Sequence, residues 1–191
     1  MALREGVYQL GPEPGRLLIK TGRTGLGARA GHDLVIEATD WNGRVIVNPS
    51  DPAQSSVSVE VDVTSLEVPE GKGGVKPLTD SDRAEIKRNI REKILHTTQH
   101  PTIAFRSVSV GGTQEALTVD GELTIMGTTH PVTVYGTVSD DGWLRANATV
   151  LQSHWGIKPY SAFFGALKLA DDVAIEVDAQ LTPTDQASSN T

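Results

Sequence analysis

The sequence predicts an all-β fold, an antiparallel up-and-down barrel of about eight strands with one amphipathic helix and a short helical or loop segment. Two observations carry this. Apolar and polar residues alternate with a period of two in many separate segments, and most of those segments are separated by glycine-rich turn signals. A sheet of that strand count tends to close on itself, because closure removes the exposed edges.

Three segments carry the alternation most cleanly. Val57, Val59, Val61 and Val63 alternate with Ser56, Ser58, Glu60, Asp62 and Thr64. Leu117, Val119, Leu123 and Ile125 repeat the pattern against Thr118, Asp120, Glu122 and Thr124. Val173, Ile175, Val177, Ala179 and Leu181 do so against Glu176, Asp178 and Gln180. One apolar face and one wet face is what a half-buried antiparallel strand requires. Further strands are expected at 16–21, 33–39, 44–48, 102–110, 131–139 and 143–151. In 102–110 the apolar parity changes between Phe105 and Val108, which predicts a β-bulge near Ser107. Turns are expected at Trp41-Asn42-Gly43, Gly111-Gly112, Met126-Gly127-Thr128 and Asp140-Asp141-Gly142.

One segment follows a different period. Between Asp80 and Leu95, Ile86, Ile90 and Ile94 recur every fourth residue among charged neighbours, and Thr79 with Asp82 resembles a capping box. This predicts an amphipathic helix lying against a barrel wall or end. Residues 66–79, with Pro69, Gly71, Gly73, Gly74 and Pro77, read as a flexible loop leading into it. Residues 152–172 combine Trp155, Tyr160, Phe163 and Phe164 with Gly156, Pro159 and Gly165, and read as a turn plus a short helix over one barrel mouth. Residues 1–181 form one domain in this reading, and 182–191 a disordered polar tail.

Composition narrows the function. The formal net charge is −7, with no basic stripe, which argues against a nucleic-acid partner. The chain has no cysteine, which removes disulfides, thiolate metal sites and cysteine nucleophiles. No stretch approaches the roughly 20 apolar residues of a membrane-spanning helix. The opening Met1-Ala-Leu-Arg-Glu-Gly shows neither an apolar run nor a leader-cleavage pattern, so a cytoplasmic location is expected.

At the helix and beyond it the sequence resembles the YceI-like family. The resemblance lies in Asp82-Arg83-Ala84-Glu85-Ile86, Lys93-Ile94-Leu95 and His100-Pro101-Thr102-Ile103-Ala104-Phe105-Arg106-Ser107. It continues in residues 117–129 with Pro131-Val132, in Gly156-Ile157-Lys158-Pro159-Tyr160 and in residues 172–177, and more weakly in Gly31-His32-Asp33-Leu34. The resemblance implies a lipocalin-like barrel that carries a long isoprenoid or fatty chain, often as a homodimer.

The residues themselves are consistent with such a bore. An eight-stranded barrel has an interior either filled by side chains or able to hold one small ligand, and the volume of the inward residues decides which. Here they are short aliphatics, with Phe105 the one clear inward aromatic. The candidate wall is Ile19, Leu34, Ile36, Val45, Val57, Val59, Val61, Ile103, Phe105, Leu117, Val119, Leu123, Val134, Leu144, Val173, Ile175 and Val177. Phe163 and Phe164 are candidates for a lid, and Lys20, Arg23, Arg29 or Arg106 for pairing with a phosphate head group. The expected occupant is a polyisoprenoid (a prenol, quinone or prenyl pyrophosphate), with no cofactor and no enzymatic activity.

Alternatives remain at this point. A filled-core structural or stress-related interaction barrel would show no lipid-length cavity. A metal site would draw on His96 and His100, four residues apart among five histidines, and a weak hydrolase on Ser153-His154 or His32-Asp33, though neither has a recognisable motif around it.

Overall fold

The computed structural model describes residues 3–162 and 167–184. Within them, thirteen strand segments follow in the order β1 (Gly6–Leu10), β2 (Gly15–Thr24), β3 (His32–Ala38), β4 (Trp41–Val47), β5 (Ser56–Asp62), β6 (Leu66–Gly73), β7 (Thr102–Thr113), β8 (Ala116–Ile125), β9 (Thr128–Val138), β10 (Trp143–Leu151), β11 (Ser161–Ala162), β12 (Leu167–Gln180) and β13 (Thr182–Pro183). One helix, α1 (Asp80–Asn89), precedes β7 and continues into a π-helical turn at Ile90–Ile94. The segments form one sheet in the order β13-β1-β4-β5-β7-β8-β9-β10-β12-β2-β3-β6, with β11 on β12. The fold is thus all-β and barrel-like with one helix, but the expected strand count of about eight is too low.

The extra segments arise because long ribbons bend. Residues 11–14 part β1 from β2, residues 39–40 part β3 from β4, a 3-10 turn at Val63–Ser65 parts β5 from β6, and Leu181 alone parts β12 from β13. Neighbouring ribbons bend together: Thr39 N donates to Ser65 O at 3.3 Å, and Asp62 N to Asp40 O at 3.1 Å. On one side of its bend β1 pairs with β13 (Tyr8↔Pro183), and on the other β2 pairs with β12 (Ile19↔Ile175). The sheet therefore curls back on itself.

Several local expectations are corrected by this architecture. Asn42-Gly43 is not a turn but lies inside β4, where Gly43 faces Val59 across the pair. A Cβ at Gly43 would stand 3.1 Å from Leu10 Cβ, so the glycine is set by close packing. Gly111 and Gly112 extend β7, and the chain turns two residues later at Gln114-Glu115. Residues 66–73, read as loop, form β6, which among the described residues pairs only with β3 and so tolerates Pro69 at a sheet edge. Residues 167–172, read as irregular, belong to β12, whose register shifts between Leu169 and Val173 and masks the alternation. Thr182 and Pro183, assigned to a disordered tail, pair with β1, and Thr184 N donates to Val7 O at 2.9 Å.

Other expectations hold. The register of β7 on β8 shifts between Ser107 and Ser109, the expected bulge. Met126 and Gly127 link β8 to β9 with φ of 49° and 75°, the positive pair a two-residue hairpin turn demands. Thr79 and Asp82 cap α1 reciprocally, with Asp82 N donating to Thr79 Oγ1 at 3.2 Å and Thr79 N to Asp82 Oδ2 at 2.8 Å.

The helix also seals an edge. Among the described residues no strand lies on the outer side of β6, so its carbonyls need other donors. Arg83 Nη1 donates to Pro69 O at 2.9 Å, and Arg91 Nη2 donates to Thr64 O and Leu66 O, while Lys87 pairs with Glu67.

Candidate functional site

The inward faces of the ribbons enclose a cavity of about 1130 Å³. All seventeen predicted wall residues border it. The two candidate lid residues, Phe163 and Phe164, lie outside the described residues. A filled interior would bury its apolar side chains almost fully. Here Val57, Val59, Phe105, Leu117, Val119, Leu123, Val134 and Leu144 point inward and yet are only half-buried, because they face open space.

The cavity runs along the strands. At one end its wall reaches Gly31, His32, Lys76, Pro77 and Tyr160, and at the other Asn48, Pro49, Pro52 and Gln114. Between them, a packed cluster that includes Leu10, Leu17, Trp41, Val61, Leu95 and Leu181 holds the bent ribbons together. Trp41, Leu10, Leu17 and Leu181 border the cavity too, as do Ile86, Ile90 and Ile94 from the helix. None of these was among the predicted wall residues. The four-residue repeat of the isoleucines shows that they share a helix face but not what that face meets. Leu181 continues the parity of Val177 and Ala179, a signal that was present in the sequence.

Phe105 keeps the bore open at its level by lying against the wall. Gly121 faces inward on β8, two residues from Val119 and Leu123, and the ring covers it. Trp155 is buried beside this wall, its Nε1 donating to Leu123 O at 3.1 Å.

Polar residues gather at the first end. Arg23 donates from Nε to Asp33 Oδ1 at 2.8 Å and from Nη2 to Asp33 Oδ2 at 3.1 Å, while its Nη1 takes the carbonyls of Ala28 and Gly31. Its charge is thus already paired, and its donors fix the loop after β2. His32 Nε2 lies 2.7 Å from Lys76 O; a carbonyl can only accept, so Nε2 carries the proton and ties down the loop after β6. Asp82, also on the cavity wall, has its carboxyl held below the usual range by hydrogen bonds from Thr79. Of the other candidate phosphate ligands, Lys20 pairs with Glu176 at 2.5 Å and Arg106 with Glu60 at 3.5 Å, and neither borders the cavity. Arg29 is exposed on the short turn Ala28–Ala30.

The candidate hydrolase pairs are not assembled. Ser153 Oγ donates to Asp171 Oδ2 at 2.5 Å rather than meeting His154, and these bonds lower the Asp171 carboxyl pKa. The His154 ring packs instead near those of His130 and Trp155, 5.8 and 6.2 Å away between centroids. His96 and His100 belong to one backbone turn, with His100 N donating to His96 O at 3.0 Å. Among the described residues no group of three or more His, Asp or Glu side chains is placed to hold a metal ion. No helix among them is long and apolar enough to cross a membrane.

Comparison with known proteins agrees with this geometry. In solved structures, the fold matches that of Burkholderia cenocepacia BcnA with a TM-score of 0.65 at 17% identity, over 87% of this chain and 96% of that one. It matches a Campylobacter jejuni YceI protein with a TM-score of 0.59 at 11% identity, over 78% and 85% of the two chains. In sequence, the chain is 30% identical over 108 residues to Protein YceI of Shigella flexneri, covering 54% of this chain and 50% of that protein. It is 25% identical over 129 residues to a UPF0312 protein of Pseudomonas aeruginosa, covering 62% and 61%. The chain therefore spans about half the length of the curated YceI proteins it matches. The model of the YceI-like domain matches residues 19–181, from within β2 through Leu181, and the chain belongs to that family.

Proposed function

We propose that this protein binds and carries a long-chain amphiphile, a polyisoprenoid such as a prenol, an isoprenoid quinone or a prenyl pyrophosphate, inside the barrel and without chemical turnover. The observation that carries the reading is the cavity of about 1130 Å³ walled by short aliphatic side chains. Pockets for drug-sized ligands run to about 1,000 Å³, so this one has room for an extended chain. Each CH₂ transferred from water contributes roughly 0.8 kcal/mol, and a few isoprene units supply ample binding free energy without any directional contact along the tail. The head group then belongs at the polar end, among His32, Lys76 and Tyr160. The filled-core alternative has no place for a cavity of this size.

Gentle purification followed by organic extraction and mass spectrometry tests the reading. A long-chain isoprenoid or other lipid near one per chain is expected. An extract free of lipid, together with no uptake of added geranylgeraniol, would defeat it.

A further inference from the structure

The described residues include six strongly exposed large apolar side chains: Leu26, Val75, Val108, Tyr135, Leu151 and Tyr160. Four of them lie at one end of the barrel. Strand pairing places them there: Lys168 and Leu169 at the start of β12 lie opposite Thr24 and Arg23 at the end of β2, and His32 at the start of β3 lies opposite Gly73 at the end of β6. Leu169 N donates to Tyr160 O at 2.9 Å, which sets Tyr160 beside that same edge. Leu151 ends β10 opposite Asp172 of β12. Leu26, Val75 and Tyr160 thus tip three neighbouring loops, with exposures of 102%, 80% and 57%. Val75 and Tyr160 also border the cavity, so the patch is continuous with its wall.

Charge at this end runs against the rest of the chain. The net charge is −7, yet Arg29, Lys76 and Lys158 on these loops and Lys168 at the start of β12 stand exposed, with no acidic partner among the described residues. Of the acids near them, Asp33 is neutralised by Arg23, while Asp82 and Asp171 keep their charge and accept hydrogen bonds from Thr79 and Ser153. Apolar tips flanked by free cations, with a tyrosine among them, suit the boundary between lipid headgroups and acyl chains.

We infer that this end of the barrel docks on an anionic lipid bilayer, with Leu26, Val75 and Tyr160 inserting among the headgroups and Arg29, Lys76, Lys158 and Lys168 pairing with lipid phosphates. The inference rests on the carrier reading for its purpose. A chain too apolar to cross water passes from the acyl layer into the cavity at the point of contact. The basic side chains add attraction that fades within a Debye length, so docking is reversible and salt-sensitive.

Co-sedimentation of the full chain with vesicles tests it. Binding is expected to mixed phosphatidylcholine–phosphatidylglycerol vesicles, and weaker binding to phosphatidylcholine alone. The Leu26→Glu and Arg29→Glu/Lys158→Glu variants, none of whose positions borders the cavity, should each lose about tenfold or more in partitioning. Val108→Glu/Tyr135→Glu, which changes exposed apolar residues on the barrel side, should partition as the parent does. No binding to the anionic vesicles, or equal losses in the rim and side variants, overturns the inference. Binding of geranylgeraniol from detergent micelles is measured in parallel, and rim variants should retain it. Loss of micellar binding with docking intact removes the carrier reading alone; micellar binding without docking removes this inference alone.

Discussion

The ring of Phe105 lies over Gly121, so closely that a Cβ at position 121 would stand 2.6 Å from Cε2 of the ring and the same distance from the Arg106 carbonyl oxygen. The glycine supplies a shallow place in the wall, and the largest inward side chain of this region settles there instead of crossing the bore. Gly121→Ala should therefore destabilise the fold by about 1–3 kcal/mol, the usual cost of overpacking. Phe105→Leu in the same chain should recover part of that loss, because one of the two clashes goes with the ring. Additive losses in chemical denaturation would show that the ring does not occupy the glycine's space.

The two inward valines Val59 and Val119 offer a different test. Each is half-buried and borders the cavity. Replacing either with Trp should keep the fold and fill part of the bore. Displacing even two CH₂ groups of a ligand, at roughly 0.8 kcal/mol each, weakens binding more than about tenfold. Titration with geranylgeraniol checks this, and unchanged affinity in both variants would remove these residues from the binding wall.

Arg83 and Arg91 hold the helix against the open edge of β6. Arg83→Met and Arg91→Met withdraw charged donors from the carbonyls of Pro69, Thr64 and Leu66. Each should cost about 1.5 kcal/mol, the low end for hydrogen bonds from charged groups. The effect should be local, with faster amide hydrogen exchange in α1 and little change in β8–β10. Uniform loss of protection across the sheet would contradict the assigned role.

Acid should also loosen the same region. The Asp62 carboxyl is held below its ordinary range chiefly by the Thr64 hydroxyl and amide, and the Asp82 carboxyl by the Thr79 amide and hydroxyl. A carboxylate with a lowered folded-state pKa stabilises the fold fully above its unfolded value of about 3.9 and loses that contribution as pH falls through the folded value. Helix α1 and the Val63–Ser65 bend should thus loosen below about pH 4, with no dependence from this source at neutral pH. Carboxyl NMR titrations should find both groups shifted down, and Thr64→Val and Thr79→Val should bring them back up.

The wall of the cavity was legible in the sequence because inward positions on a pleated strand alternate strictly, so Val57, Val59 and Val61 announce their face without any tertiary information. The bends were not. Asn42-Gly43 carries hairpin chemistry, yet the chain breaks two residues earlier, at Thr39-Asp40, where partners on the neighbouring ribbon fix the bend. Trp41 was consequently read as a turn residue, although it is 2% exposed and borders the cavity. Segment 66–73 looked like a loop because Pro69, Gly71 and Gly73 are poor strand formers. Its place at the sheet edge, and the arginines that satisfy its carbonyls, are tertiary facts with no local signature. In β12 the register shift at Leu169–Val173 hides the alternation in the same way.

The pairing of Tyr8 with Pro183 joins positions near opposite ends of the described chain. Such a contact closes a very long loop, and its entropy must be met before the pairing gives anything back. Successive hairpins such as β8–β9 form early and cheaply, whereas the seam waits until the ribosome has delivered β13. Nascent chains should therefore pass through a half-rolled state with the greasy inner surface turned to solvent, the stage at which a holdase chaperone has most to protect.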